Sequence, residues 1–83
     1  MRRLGKVLHL TNSGRLVLRP KIKVKAGSTA FDEDLVPIGT VLEVFGPVGN
    51  PYVSIKPNVN NPGKYVGHVL YVDEQDETWG KTR

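Results

Sequence analysis

Apolar residues along this chain recur at alternate positions far more often than at helical spacing, in short runs separated by Gly, Pro, Asn and Asp. Arg3 to Leu10 sets Leu4, Leu8 and Leu10 on one face and Arg3, Val7 and His9 on the other. Thr11-Asn12-Ser13-Gly14 supplies turn chemistry, and Arg15 to Arg19 returns with Leu16 and Leu18 toward the same interior, as an antiparallel hairpin. Pro20 ends that strand. Lys21 to Lys25 alternates charged and β-branched side chains and reads as the next strand, its lysine face turned to water or to an anionic partner.

A short extended piece around Thr29-Ala30-Phe31 leads into the hydrophilic Asp32-Glu33-Asp34. Ile38 to Phe45 is the longest strand candidate and pairs with Tyr52 to Lys56 across Gly46-Pro47-Val48-Gly49-Asn50-Pro51. Alternation puts Val41, Glu43 and Phe45 on the outer face of that strand and Leu42 and Val44 in the core. Tyr65 to Val72 forms the last strand after a polar loop. Six short strands in one small chain cannot leave two long edges bare, so the expected fold is all-β, a small closed six-stranded antiparallel barrel. Gly5, Gly39 and Gly67 interrupt strand patterns where barrel corners would bend. The expected organisation is a single barrel domain over residues 1–74 and a short acidic, polar C-terminal tail over 75–83, with Trp79 as its one anchor candidate.

Length and composition narrow the function. At 83 residues the chain holds one domain and buries only about 60–65% of the surface its unfolded form exposes. No apolar run approaches the ~18 residues that span a bilayer, the opening residues lack a secretory h-region, and there is no cysteine for a disulfide, a thiolate nucleophile or a thiolate zinc site. A cytoplasmic location, without membrane contact, is the expectation. The net charge of +4 is unevenly spread: residues 1–31 carry eight basic side chains and no acid, +8, whereas 32–83 carry four basic and eight acidic, −4. Such a basic half suits phosphate backbones or acidic protein surfaces.

Chemistry is sparse. His9 and His68 sit in predicted strands without a second imidazole or carboxylate at ligand spacing, Asp32-Glu33-Asp34 reads as a solvated loop, and Glu43 reads as an outward acid in an apolar strand. No glycine-rich loop precedes a helix, because no helix longer than a turn is expected. The expectation is a protein with no catalytic residue, metal, cofactor or small-molecule ligand. Lys21, Lys23 and Lys25 offer a weak, salt-sensitive contact to RNA or another anion, but no aromatic residue is interleaved with them to stack bases.

The most distinctive stretch is Val44 to Tyr52. Pro47 and Pro51 bracket a turn that exposes Val48, so an apolar tip would dock with little ordering entropy left to lose. Phe45, Gly46, Pro47, Val48, Pro51 and Tyr52 are therefore the candidate protein-binding surface.

At this loop a resemblance appears. Val44-Phe45-Gly46-Pro47-Val48, then Pro51-Tyr52-Val53-Ser54-Ile55-Lys56-Pro57, then Tyr65 to Glu74, resemble the Gar-family core protein of box H/ACA ribonucleoproteins in its short archaeal form. Arg3-Leu4-Gly5-Lys6-Val7-Leu8-His9 is similar to that family's first strand, so the resemblance covers roughly residues 2–74. It implies a six-stranded barrel that is not catalytic. Such a barrel docks on the catalytic domain of the particle's pseudouridine synthase and assists loading of substrate RNA and release of product during rRNA pseudouridylation and ribosome biogenesis. Guide and substrate RNA would then be reached through the particle. The location would be cytoplasmic in an archaeal cell and nucleolar in a eukaryotic one. Relatives with Gly/Arg-rich or lysine-rich flanks differ from this acidic ending, so RNA contact by the tail is not expected. The alternative is an independent small β-barrel RNA-binding protein, favoured by the basic first half.

Overall fold

A computed structural model describes residues 1–73. Six strands and one short 3-10 turn make up the fold: β1 (Arg2–Leu10), β2 (Leu16–Leu18), β3 (Thr29–Phe31), β4 (Pro37–Phe45), β5 (Tyr52–Pro57), the 3-10 turn Pro62–Tyr65 and β6 (Val69–Val72). Every pairing is antiparallel, and the order β1-β2-β5-β4-β3-β6 closes on itself as a barrel. Closure removes the two bare edges that a sheet of this size would otherwise expose. The C-terminal tail over 75–83, including Trp79, lies outside the described residues.

The interior is filled by Leu4, Val7, Leu16, Leu18, Ala30, Ile38, Val41, Val53, Ile55, Tyr65, Leu70 and Val72. Each fully buried Leu, Ile or Val contributes about 1.5–3 kcal/mol relative to exposure. Leu16 and Leu18 point inward as the alternation predicts.

Register shifts account for most of the differences from simple alternation. In β1 the pairing skips Leu4 against β6 and Leu8 against β2, so Val7 is buried and Leu8 is exposed, the reverse of the expectation. Leu10 stands opposite Leu16 at the strand end and is also exposed. In β4 the pairing steps from Val41 to Glu43 against Ile55 and Ser54. Val41 is therefore a core residue, Leu42 is the half-buried bulge, and Val44 is exposed. Each inserted residue resets the two-residue phase that sequence alternation assumes.

The strand expected at Lys21 to Lys25 is a strap without a ladder. It is tied by Lys21 N–H to the Leu4 carbonyl at 2.7 Å and, just beyond, by Gly27 N–H to the Val41 carbonyl at 2.8 Å. Ile22 and Val24 pack against the core while the three lysines are exposed, so the alternation reports burial without strand pairing. The sixth strand is supplied instead by Thr29–Phe31, and the last strand begins at Val69 because Pro62–Tyr65 winds into the 3-10 turn. Gly67 sits in the turn before β6 rather than inside a strand. Gly39 does sit at a tight crossing: a Cβ there would lie 2.5 Å from the Lys56 carbonyl oxygen.

Candidate docking and nucleic-acid interface

The β4–β5 hairpin carries the candidate docking residues. Phe45 pairs with Tyr52 as the last rung, and their rings stack with centroids 5.8 Å apart and planes inclined at 27°. Gly46 then turns the chain at φ +94°, where a side chain would be strained, and a Cβ would press on the Tyr52 ring at 3.2 Å. Asn50 N–H donates to the Pro47 carbonyl at 3.1 Å and closes the turn over Val48 and Gly49. Val48 is 100% exposed, Phe45 is 39% exposed, and Pro51 and Tyr52 are half-buried at the base.

Arg19 fixes the base from the neighbouring strand. Its guanidinium donates to the Tyr52 hydroxyl at 2.6 Å and lies 4.7 Å from the Tyr52 ring centroid. Arg19, Tyr52 and Phe45 thus form one row beneath the tip. Val44 pairs with the buried Val53 and is itself exposed.

The fold brings the two candidate site sets together. A groove of about 1020 Å³ is lined by Lys21, Lys23, Lys25 and the strap residues Ile22 and Val24, and by Val44, Phe45, Gly46, Pro47, Val48 and Pro51 of the hairpin. Arg2 adds a fourth cation, and no acid lines it among the described residues. The aromatic neighbour that the lysines lack in sequence is thus supplied in space by Phe45. Sequence reasoning did not single out Arg2, Arg19, Ile22, Val24 or Val44; the signal for the strap was Pro20 followed by alternating Ile22 and Val24.

The other candidates are structural. One carboxylate oxygen of Asp32 accepts N–H bonds from Asp34 at 2.8 Å and Val36 at 3.0 Å, and the other accepts the Tyr65 hydroxyl at 3.3 Å. The Val36 N–H foremost holds the Asp32 carboxyl below its ordinary pKa, and burial, then the Asp32 charge, raises the Tyr65 phenol. His68 Nδ1 lies 3.6 Å from the Glu33 carboxylate, with both side chains exposed. His9 is exposed on β1, and Glu43 is exposed opposite Ser54. Among the described residues no three His, Asp or Glu side chains gather in a metal-holding group, and no helix is long and apolar enough to cross a membrane.

An uncharacterized protein of Methanothermobacter thermautotrophicus is 39% identical over 88 aligned positions, which take in 100% of this chain and 96% of that protein. An uncharacterized protein of Methanocaldococcus jannaschii is 41% identical over 51 positions, 61% of this chain and 62% of that protein. A family model described as the Gar1/Naf1 RNA binding region matches residues 1–79, which takes in the whole barrel, the strap and the hairpin. On that match the chain is a member of the Gar1/Naf1 RNA-binding region family, a β-barrel with a ribonucleoprotein-associated role.

Proposed function

We propose that this chain is a non-catalytic subunit of an archaeal box H/ACA guide ribonucleoprotein, acting in the cytoplasm. Its hairpin tip docks on the catalytic domain of the particle's pseudouridine synthase and promotes loading of substrate rRNA and release of product. The observation that most supports this reading is Val48, fully exposed at a tip whose turn is set by two prolines and whose base is held by the Arg19–Tyr52–Phe45 row. A pre-ordered apolar projection loses little conformational entropy on binding, so more of its burial appears as affinity.

In this reading the barrel supplies no acid, base or nucleophile. Holding a mobile loop of the synthase in one position alters the rates of substrate entry and product exit, which limit turnover independently of bond breaking. A particle assembled without the chain should therefore still form pseudouridine in a single turnover and slow when product must leave. Equal multiple-turnover rates with and without the chain would count against the reading.

The groove favours a second reading, direct contact with RNA, because Phe45 stands beside Lys21, Lys23 and Lys25. Salt separates the two. Backbone neutralisation makes affinity for single-stranded RNA fall with a log–log slope of about −0.7 per phosphate contacted, whereas an apolar protein contact is nearly insensitive. The isolated chain should show only weak guide-RNA binding that disappears by about 0.5 M salt. A tight guide complex persisting there would transfer the leading role to RNA.

A further inference from the structure

We propose that the groove is a slot for one added strand: an extended segment of the synthase, with acidic and apolar side chains in alternation, lies between the strap and the open edge of β4 and joins the sheet through its backbone. Naming the synthase rests on the proposed function; the geometry of the slot does not. Three observations carry it.

The first is unpaired backbone on both sides. The β3 ladder leaves β4 at Thr40, and the ties from Val41 N–H to the Ser28 carbonyl and from Gly27 N–H to the Val41 carbonyl, both 2.8 Å, are the last on that side. β5 goes on pairing with β4 as far as Phe45. From Glu43 to Phe45, β4 therefore has a neighbour on one edge alone among the described residues, and Val44 and Phe45 line the groove. Across it, no backbone hydrogen bond holds Ile22, Lys23 or Val24 among the described residues, although the strap is anchored on either side of them at Lys21 and Gly27. Open N–H and C=O groups along a strand edge are a template for strand addition.

The second is the pattern of side chains. Lys21 and Lys23 are exposed, and Ile22 and Val24 alternate with them and pack against the core. A strand paired with the strap repeats that alternation, so its carboxylates stand opposite Lys21 and Lys23 and its apolar side chains share the face of Ile22 and Val24. Val44 and Phe45 form the apolar wall on the other side. No acid lines the groove among the described residues, so a partner carboxylate meets no like charge there.

The third is what the groove selects against. Phe45 stacks on Tyr52 with centroids 5.8 Å apart, and no other aromatic lines the groove among the described residues, so a run of bases lacks the successive platforms that single-strand binders supply. Nucleic acid also has no alternating amide backbone to extend a sheet. Two copies of this chain joined edge to edge would bring Lys21 and Lys23 of both together, and like charges on facing strands are unfavourable. Pro47 and Val48 belong to the groove lining and to the hairpin tip alike, so a partner docked on the tip already borders the slot.

Backbone amide exchange of the full chain tests this, with an archaeal synthase catalytic domain and a short oligouridylate as the two probes. Amides of Leu42 to Phe45 and of Ile22 to Val24 that exchange fast in the free chain should slow at least about 10-fold in the synthase complex, and oligouridylate should leave them fast. The double variant Lys21→Glu/Lys23→Glu should weaken synthase binding at least about 10-fold at low salt and less at about 0.5 M. Its melting temperature should stay within a few degrees of the original, because both lysines are exposed. A complex that slows only the Gly46 to Pro51 turn would overturn the added strand and leave the proposed function standing, whereas no complex at all would overturn both. Slowing by oligouridylate alone would assign the groove to RNA, and slowing in the free chain that grows with concentration would assign it to a second copy. Either result overturns the proposal, as does unchanged synthase affinity in the double variant.

Discussion

The guanidinium of Arg19 lies over the ring of Tyr52, 4.7 Å from its centroid, and donates a 2.6 Å hydrogen bond to the Tyr52 hydroxyl. Arg19 follows β2 directly, where Leu18 pairs with Val53, so the contact joins the strand ends on which the docking hairpin stands. Tyr52 in turn stacks on Phe45, which fixes the direction in which Val48 projects.

Removing only the hydroxyl, Tyr52→Phe, deletes the Arg19 hydrogen bond and keeps both ring contacts. A loss of about 1 kcal/mol or less is expected because the bond is exposed. Tyr52→Ala deletes the whole row and should weaken synthase binding more than it lowers stability. Thermal melts beside binding titrations separate the two effects; equal binding by Tyr52→Ala and the unmodified chain would show that the row does not aim the tip.

Gly39 and Gly49 form a matched pair. An alanine Cβ at Gly39 would meet the Lys56 carbonyl at 2.5 Å, whereas nothing lies within 4 Å of one at Gly49. Gly39→Ala should cost at least about 1–3 kcal/mol, and Gly49→Ala should stay within about 0.5 kcal/mol. Urea midpoints measure both.

Much of this architecture was legible in the sequence, and the limits of legibility are physical. The β1–β2 and β4–β5 hairpins were readable because Gly14 and the Gly46 to Pro51 loop punctuate apolar runs. The closed barrel followed from counting strands, although one of them was placed on the strap instead of on Thr29–Phe31. Inside-outside order at Val7, Leu8, Val41 and Leu42 was not readable, since a bulge leaves no mark on composition while inverting every position beyond it. The tip was visible from its prolines. Its union with the lysine run was not, because it depends on Lys21 tying to Leu4 and on the strap crossing to Val41, contacts that are distant in sequence.

The bulge at Leu42 makes its own prediction. Val41→Asp places a carboxylate among fully buried neighbours and should unfold the barrel, at a cost above about 4 kcal/mol. Leu42→Asp, at a half-buried bulge, should leave a folded chain with a lowered melting temperature. Proton NMR dispersion distinguishes the outcomes; the reverse order would restore simple alternation along β4.

Asp32 predicts the acid limb of stability. The folded chain holds its carboxyl below the ordinary value, so its contribution is fully present above the unfolded pKa of about 3.9 and is lost as pH falls through the folded one. Asp32→Asn keeps an acceptor for the Asp34 and Val36 N–H groups and should flatten that acid dependence. Asp32→Ala removes the acceptor and should cost about 1–2 kcal/mol at neutral pH as well. Melting temperatures from pH 2 to pH 7 test this, and an acid limb unchanged by Asp32→Asn would assign it to another carboxyl.

The most direct test of the docking surface is calorimetric titration of an archaeal pseudouridine synthase catalytic domain with the full chain and with Val48→Asp, alongside thermal melts of both. A carboxylate at a fully exposed tip costs the free barrel almost nothing but several kcal/mol when buried unpaired at an interface. The expected result is tight binding by the unmodified chain. Val48→Asp should weaken it at least about 100-fold, equivalent to about 2.8 kcal/mol, with a melting temperature within a few degrees of the original. Val48→Asp binding as tightly as the unmodified chain would contradict the account and move the interface off the hairpin.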